Sequence, residues 1–503
     1  MKVKTILFAV LAILLCCLPT ARAQRTLSLD SCRTLALNGN KRIGMAHAAR
    51  NMAKNTRKAA RTGYLPKVDA VGTWQLSSRE MSLLSKNQKT QLNHLGDNLA
   101  ARLQNDALAT LSALVEQGTL SAAEAQALST IATQVAPGAA EALNAAGQSL
   151  RKAFRTNTRN LFGTDILVKQ PIYMGGSVKA TNKMADVQLD MADNNIDLIT
   201  QQTIYDVEQA YWLVVSLRQK QILAARFLNL VRHLHDDVAK MLAQGMATRA
   251  DELRVAVRVN EAELSQTQVD DGLTLARMHL CQICGLPPNS DIRLTDEDGA
   301  TLSAAAIEAG PDTTIGYAQR PELRLLADAV EMSRHTTTIT RAAFLPQLMA
   351  TGGYMATTPN VYDGYQNNLS GTFHVGLTLR VPVWNWGEGS HRIHASKAAT
   401  TIARLELDET NELIRLQVSQ AKFSRNEACK RLHMATHNLT SAEESLRCAN
   451  VGFKEGVMKT TDVMEAQTAW QSAQSQKIDA EIGVVIANIG LRKALGVLTP
   501  QAI

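Results

Sequence analysis

The sequence predicts a mainly α-helical chain with a small amount of membrane-crossing β-structure, the whole pattern laid down twice. Three observations carry that expectation. The chain repeats itself in one gapless register: Pro171 aligns with Pro382, 211 positions later, and the same offset pairs Tyr173 with Trp384, Gly176 with Gly387, Val207 with Val418, Gly245 with Gly456, Asp251 with Asp462 and Gly285 with Gly496. Four runs alternate apolar and polar residues with period two, each about ten residues long, the length a tilted strand needs to cross a bilayer. Two long segments carry helical apolar seams too extended for a compact globule.

The elements follow in order. Residues 1–23 are expected to be a cleavable secretory signal: Lys2 and Lys4 precede an apolar core from Ile6 to Leu18, and Ala21-Arg22-Ala23 precedes Gln24. That core is too short for a membrane anchor, and Leu15 before Cys16 argues against lipidation. Tyr64-Leu65-Pro66 aligns with Phe344-Leu345-Pro346 at an offset of 280, then Val68 with Leu348, Gly72 with Gly352 and Trp74 with Tyr354. The period-two runs are expected at about 66–76, 164–173, 346–356 and 372–383. In the last, Phe373, Val375, Leu377, Leu379, Val381 and Val383 alternate with Thr372, His374, Gly376, Thr378, Arg380 and Pro382.

The two offsets differ by 69, so the first half holds about 69 extra residues, within 79–162. This insertion is rich in Ala, Leu and Gln and helix-prone. Ser121-x-x-Glu124 reads as a capping box and Pro137-Gly138 as a break. The helical hairpins are expected at about 177–285 and 388–496. In the first, Thr203, Val207, Ala210, Val214, Leu217, Gln221, Ala224, Leu228 and Val231 form the seam. Residues 177–243 alone would span roughly 100 Å at the helical rise.

Composition excludes other classes. Removing residues 1–23 takes the net charge from +7 to +4, with no dense basic run interleaved with aromatics, so nucleic-acid binding has no support. Five cysteines remain beyond residue 23, an odd number at irregular spacing. Cys281-x-x-Cys284 with His279 is read as helix packing ahead of a metal or redox site. His233-x-His235-Asp236 and His391-x-x-His394 are read as solvated helix faces, and no metal or other cofactor is expected. No nucleophile elbow, phosphate loop or zinc-protease motif is present, so no catalysis is expected.

The Leu65-Pro66 and Leu345-Pro346 strand entries, Pro171 and Pro382, and the tip motifs LAQGMATRADELRVA and FKEGVMKTTDVMEAQ together resemble the TolC-type outer membrane efflux family. The resemblance covers the chain beyond the signal, except 79–162. It implies a first repeat at 24–285, an equatorial linker at 286–316 and a second repeat at 317–503. It implies a homotrimer in which each subunit gives four strands to one twelve-stranded outer-membrane β-barrel, continued by a periplasmic α-helical barrel of coiled-coil hairpins. The insertion 79–162 would then be extracellular, as a helical cap or a loop. Implied partners are a periplasmic adaptor, an inner-membrane pump of the RND or ABC type, and outer-membrane lipid. The implied role is a passive exit duct for drugs or other small molecules, with type I protein secretion as the alternative. From another class, a soluble periplasmic coiled-coil adaptor shares the helical hairpins but not the duplicated strands.

Candidate site residues fall at the tips and joints. Gly245 and Gly456 allow tight reversals, and Asp251 and Asp462 suit the start of each return helix. By resemblance, Asp462 and Glu465 would line the periplasmic aperture in threefold rings that favour cations. Met458 and Phe453 stand where some relatives place an arginine and a tyrosine. Arg254 occupies the position of Glu465 in the first copy, and an Arg254–Glu465 pair between hairpins is a hypothesis. Pro171, Tyr173 and Gly176, with Pro382, Trp384, Trp386 and Gly387, are expected to join strand to helix, ending the ladder and anchoring an aromatic girdle.

Overall fold

The computed structural model describes residues 25–80, 82, 84–155, 158–297, 320–360, 362 and 366–498. The expected signal at 1–23 and residues 298–316 of the expected linker lie outside the described residues. The chain divides into two units. One, mainly helical, comprises Met1–Arg61, Ser177–Arg341 and Asn385–Ile503; the other, containing the sheet, comprises Thr62–Gly176 and Ala342–Trp384.

In chain order the elements are β1 (Arg25–Leu27), α1 (Leu29–Gly39), α2 (Lys41–Arg61), β2 (Lys67–Leu76), α3 (Lys86–Asn93), α4 (Leu95–Glu116), α5 (Ala122–Ala153), β3 (Asn160–Met174), α6 (Ser177–Ala243), α7 (Arg249–Ile283), β4 (Ile292–Leu294), α8 (Pro321–Ala342), β5 (Gln347–Thr358), β6 (Ser370–Arg380), α9 (Glu388–Lys454) and α10 (Thr460–Ala494).

The sheet is antiparallel throughout, in the order β2-β3-β5-β6, with β2 and β6 as unpaired edges. Its register separates two faces. Val68, Val168, Gly352 and Val375 form one cross-strand row, and Ala70, Ile166, Tyr354 and Phe373 the next on the same face. The other face carries Lys67, Asp69, Thr73, Asp165, Lys169, Thr351, Thr372 and His374, with a Lys169–Asp69 ion pair at 3.1 Å. Phe373 is 81% exposed and Val375 is 91% exposed. Burying one such side chain is worth about 1.5–3 kcal/mol, so a whole face left in water is strongly unfavourable.

The register also tests the sequence repeat. Applying the offsets of 280 and 211 to the β2–β3 pair Lys67/Lys169 gives Gln347/Arg380, which is the pair observed between β5 and β6. The two hairpins are the same object.

Two boundaries differ from the sequence expectation. Pro171 does not end a strand. It lies inside β3, opposite Met349, and Ile172 is bulged out so that Tyr173 faces Leu348. Proline is tolerated there because β2 has already stopped at the Lys67/Lys169 pair, leaving β3 paired on one side only, and because a bulge disrupts the ladder. The extra residue shifts the alternation, which moves Tyr173 onto the apolar face. The last strand ends at Arg380 rather than 383, so Val381, Pro382 and Val383 lie outside the ladder of the single chain.

In the insertion, α5 runs unbroken through Pro137, against the expected break. Packing overrides propensity: just beyond the proline, the Ala140 carbonyl lies against Gly96 of α4, and Asn144 accepts the Gly96 N–H at 2.8 Å. The Ser121/Glu124 capping box is formed.

In the helical unit the expected seam of α6 is in place: Thr203, Val207, Ala210, Val214, Ala224, Leu228 and Val231 are buried, and Leu217 packs at the edge of the core. Sequence reading missed the parallel pairing of β1 with β4, two three-residue strands that carry no periodic signal. They bring Leu27, Ile292 and Leu294 into the same core as Cys32, Tyr211, Leu280 and Ile489.

Gly175→Ala is expected to destabilise the sheet unit. A Cβ there would stand 2.6 Å from the Ala342 carbonyl at φ +63°. A loss of about 1–3 kcal/mol follows, read as a lowered thermal midpoint of the purified protein.

Candidate functional site

Both hairpins reverse through the same hydrogen-bond pattern. At the first tip, Gly245 (φ +75°) donates to the Leu242 carbonyl at 3.0 Å and Met246 donates to Met241 at 2.8 Å. At the second, Gly456 (φ +72°) donates to Phe453 at 3.1 Å and Val457 to Gly452 at 2.8 Å. Each closes the helix C-terminus through a left-handed glycine.

The return helices start differently. Thr248 caps α7 and forms a capping box with Asp251, whose Oδ2 accepts the Thr248 N–H at 3.2 Å and its hydroxyl at 2.6 Å. Those bonds hold the Asp251 carboxyl below its ordinary range. In the second copy Lys459 replaces the threonine, and Asp462 accepts the Lys459 N–H at 3.0 Å and, more weakly, the neighbouring Thr461 hydroxyl at 3.4 Å.

Arg254 and Glu465 line opposite walls of one groove of about 1010 Å³ between α7 and α10, together with Leu253, Val257, Thr461 and Met464. The hypothesised pair between them is not formed in the single chain. Arg254 turns back to Asp251 at 3.4 Å, one helical turn away, where the capping box already holds the carboxylate. Arg258, which sequence reading missed, crosses the groove instead and donates to the Thr468 hydroxyl.

Within the single chain Phe453 faces inward. It is buried with Val231, Val255, Ala449, Val463 and Ala466 in the core below the tip, where an aromatic side chain is more stable than in water. Met458 is half-exposed, and its backbone N–H donates to the Gly452 carbonyl at 3.1 Å.

At the joints, two consecutive left-handed residues turn each strand segment into its helix: Gly175 (φ +63°) and Gly176 (φ +88°), then Trp386 (φ +51°) and Gly387 (φ +80°). These are equivalent positions under the 211 offset. Tyr173, Trp384 and Trp386 are all exposed, Trp386 at 88%. Trp74 and Phe162, paired at the opposite end of the strands, are exposed as well. Aromatic residues therefore bracket about ten residues of strand, roughly 25 Å of tilted rise.

Residues 317–497 match the family model for outer membrane efflux proteins. Curated relatives extend the likeness well beyond those residues. Outer membrane efflux protein BepC of Brucella suis is 24% identical over 68% of this chain and 74% of its own length. Alkaline protease secretion protein AprF of Pseudomonas aeruginosa is 24% identical over 70% of this chain and 75% of its own. Among solved structures, the outer membrane protein VceC of Vibrio cholerae superposes with a TM-score of 0.69 at 12% identity, covering 93% of this chain and 96% of its own. Together the family match over residues 317–497, the curated relatives and the solved structures support a TolC-type outer membrane efflux protein.

The remaining cysteine candidates pack inside the helical unit. Cys32, Cys281 and Cys284 are free and buried in one core, with the Cys284 thiol donating to the Cys32 carbonyl at 3.6 Å. Burial pushes the Cys281 thiol up. Among the described residues no group of His, Cys, Asp or Glu is arranged to hold a metal ion.

Two outcomes are expected at the tips. Phe453→Ala should cost about 3–5 kcal/mol and raise hydrogen exchange around the second tip, whereas Met458→Ala should change it little. Because the Asp251 carboxyl is stabilised in its charged form, that contribution holds above the unfolded-state value and is lost as pH falls through the folded one. The protection factors of amides 246–253, taken against the intrinsic exchange rate at each pH, should therefore fall on acidification, and Asp251→Asn should remove the dependence.

Proposed function

We propose that three copies close their sheets into one outer-membrane barrel and serve as the passive exit duct of a tripartite efflux pump. The observation that carries this reading is the sheet itself. Each chain presents an apolar face suited to lipid, a polar face, and two edges whose backbone groups have no partner within the chain. Uncovered side chains on the long helices agree with self-association: Leu253, Val257 and Leu264 on α7, with Leu405, Leu416 and Phe423 on α9.

The repeat supplies the register of closure. In the chain, β3 of the first repeat pairs with β5 of the second, Lys169 opposite Thr351 and Tyr173 opposite Leu348. Shifting β3 by 211 and β5 by 280 places Arg380 opposite Val71 of the next copy, Thr378 opposite its Thr73, and Trp384 opposite its Val68. The apolar and polar faces stay continuous across that junction. Residues 381–385, outside the ladder in one chain, become the counterparts of Gln170–Met174 and pair with the next copy.

The polar face would line the lumen, and Asp462 and Glu465 would sit at the periplasmic aperture, where threefold acidic rings favour cations. The helical tips would meet a periplasmic adaptor, and through it an RND or ABC pump. Small-molecule efflux is the first reading; AprF, by its name, serves protease secretion, which keeps type I secretion as the second. No catalytic step is proposed.

The decisive experiment is disulfide trapping in membranes. The Thr73→Cys/Thr378→Cys variant is expected to give covalent trimers on non-reducing gels, and Val71→Cys/Thr378→Cys, one step out of register, much less. Equal trapping by both would refute the register, and recovery of the unaltered protein in the soluble periplasmic fraction would sink the duct.

A further inference from the structure

The charge of this protein is concentrated where β2 and β3 open into the insertion. Arg79, Lys86 and Lys89 follow β2; Arg151, Lys152, Arg155 and Arg159 precede β3; Glu80 is the only acid among residues 79–89 and 151–159. These two short segments carry seven basic groups and one acidic group, a net +6, in a chain whose whole formal charge is +7. The equivalent turn between β5 and β6, residues 359–369, contains no Lys or Arg.

The fold gathers these side chains at one end of the sheet. The Ser77 N–H donates to the Arg159 carbonyl at 2.8 Å, directly beyond the last ladder pair, Leu76/Asn160. Arg155 grips Glu80 across the two segments at 3.2 and 3.3 Å. Arg151 donates to Asn93 at 2.8 Å and so ties the end of α5 to the end of α3. The Arg155 bond, with the positive charge of Arg159 and Lys89 nearby, holds the Glu80 carboxyl below its ordinary range. Arg79, Lys86, Lys89 and Lys152 have no ion-pair partner among the described residues. Trp74, Phe162 and Phe154 are exposed beside the cluster.

We propose that this basic collar binds the phosphorylated headgroups of outer-leaflet glycolipid. The inference rests on the reading that the strands cross the outer membrane with the insertion outside. On that reading, Trp74 and Phe162 mark the end of the hydrocarbon, and the cluster stands at headgroup height. Each Lys or Arg held near an anionic membrane surface contributes about 1 kcal/mol, and arginine adds paired N–H donors matched to phosphate oxygens. A protein partner would have to displace lipid phosphates from the same level. An anchor here would fix the depth of the one strand hairpin that carries the insertion.

The test uses the full-length trimer in non-ionic detergent, titrated with lipid A and, in separate arms, with dephosphorylated lipid A and inorganic phosphate. Lipid A is expected to bind, and the dephosphorylated lipid to bind at least about tenfold more weakly. The variant Arg79→Ala/Lys86→Ala/Lys89→Ala/Lys152→Ala is expected to lose about a thousandfold while still running as a trimer, from roughly four headgroup contacts at that strength. Unchanged lipid A affinity in that variant would overturn the inference. So would inorganic phosphate binding as tightly as lipid A, which would make the site one for free anions. Placement is checked separately by labelling Lys86→Cys on intact cells with a membrane-impermeant maleimide. Failure to label would sink the transmembrane reading itself, whereas labelling with unchanged lipid binding would sink only the lipid site.

Discussion

Hydrocarbon offers no water to a peptide group, so every N–H and C=O at membrane depth must find its partner in protein, and that requirement organises this molecule. The chain satisfies it for three ladders, β2–β3, β3–β5 and β5–β6, and leaves it unmet at the outer edges of β2 and β6. A four-stranded sheet with a lipid-compatible face is therefore an unfinished object. Repetition is the economical route to finishing it, because in the proposed closure the contact between the two repeats inside one chain is reused between chains. The side-chain pattern obeys the same demand: Val68, Ile166, Tyr354 and Phe373 share one face, and Asp69, Lys169 and His374 the other.

The joints show how a repeat keeps geometry while its residues diverge. Both pass through two left-handed residues, which glycine adopts freely and other residues only with strain of about 1–2 kcal/mol. The first copy uses Gly175-Gly176; the second uses Trp386-Gly387 and accepts a tryptophan in the unfavourable conformation. In the proposed barrel the exposed indole would stand at the membrane interface, where an amphipathic ring has value of its own. At Tyr173 the same end is reached by another device, a one-residue bulge that turns the ring to the apolar face.

Much of this was legible in the sequence, and the parts that were not share a cause. Period-two alternation located the strands because one face of each must be apolar. The α6 seam was readable because a hairpin of that length must bury a continuous stripe. Features decided by tertiary context escaped. Pro171 reads as a terminator, yet it sits inside β3, since only the ladder shows that one side of that strand was already free. Pro137 reads as a break, yet close packing of Ala140 on Gly96 carries the helix through. Position in a repeat also misleads about exposure. Phe453 occupies a tip motif but points into the core, and Arg254 sits opposite Glu465 in the alignment but is taken by its own capping aspartate.

The two hairpins, alike in length and turn chemistry, are not alike in packing. Helix α6 buries a near-continuous series from Ala180 to Val238, with Tyr211, Trp212, Phe227 and Val231 among them. Helix α9, equally long, buries only Ile414, Val418, Ala435, Leu439, Ala442, Ala449 and Phe453, while Leu405, Leu416, Phe423 and Met434 stay exposed. Stability within one chain is therefore uneven: α6 is held by a core that it shares with α10 and the second tip, whereas α9 leaves packing for neighbours to complete. The second tip is also the less firmly capped, with Lys459 where the first has Thr248. An element whose packing is finished by a neighbouring copy takes its position from the assembly rather than from the chain. In the proposed duct the acidic pair Asp462 and Glu465 belongs to that hairpin, so an opening that moves those side chains costs little of the chain's own core and is set by contacts between copies.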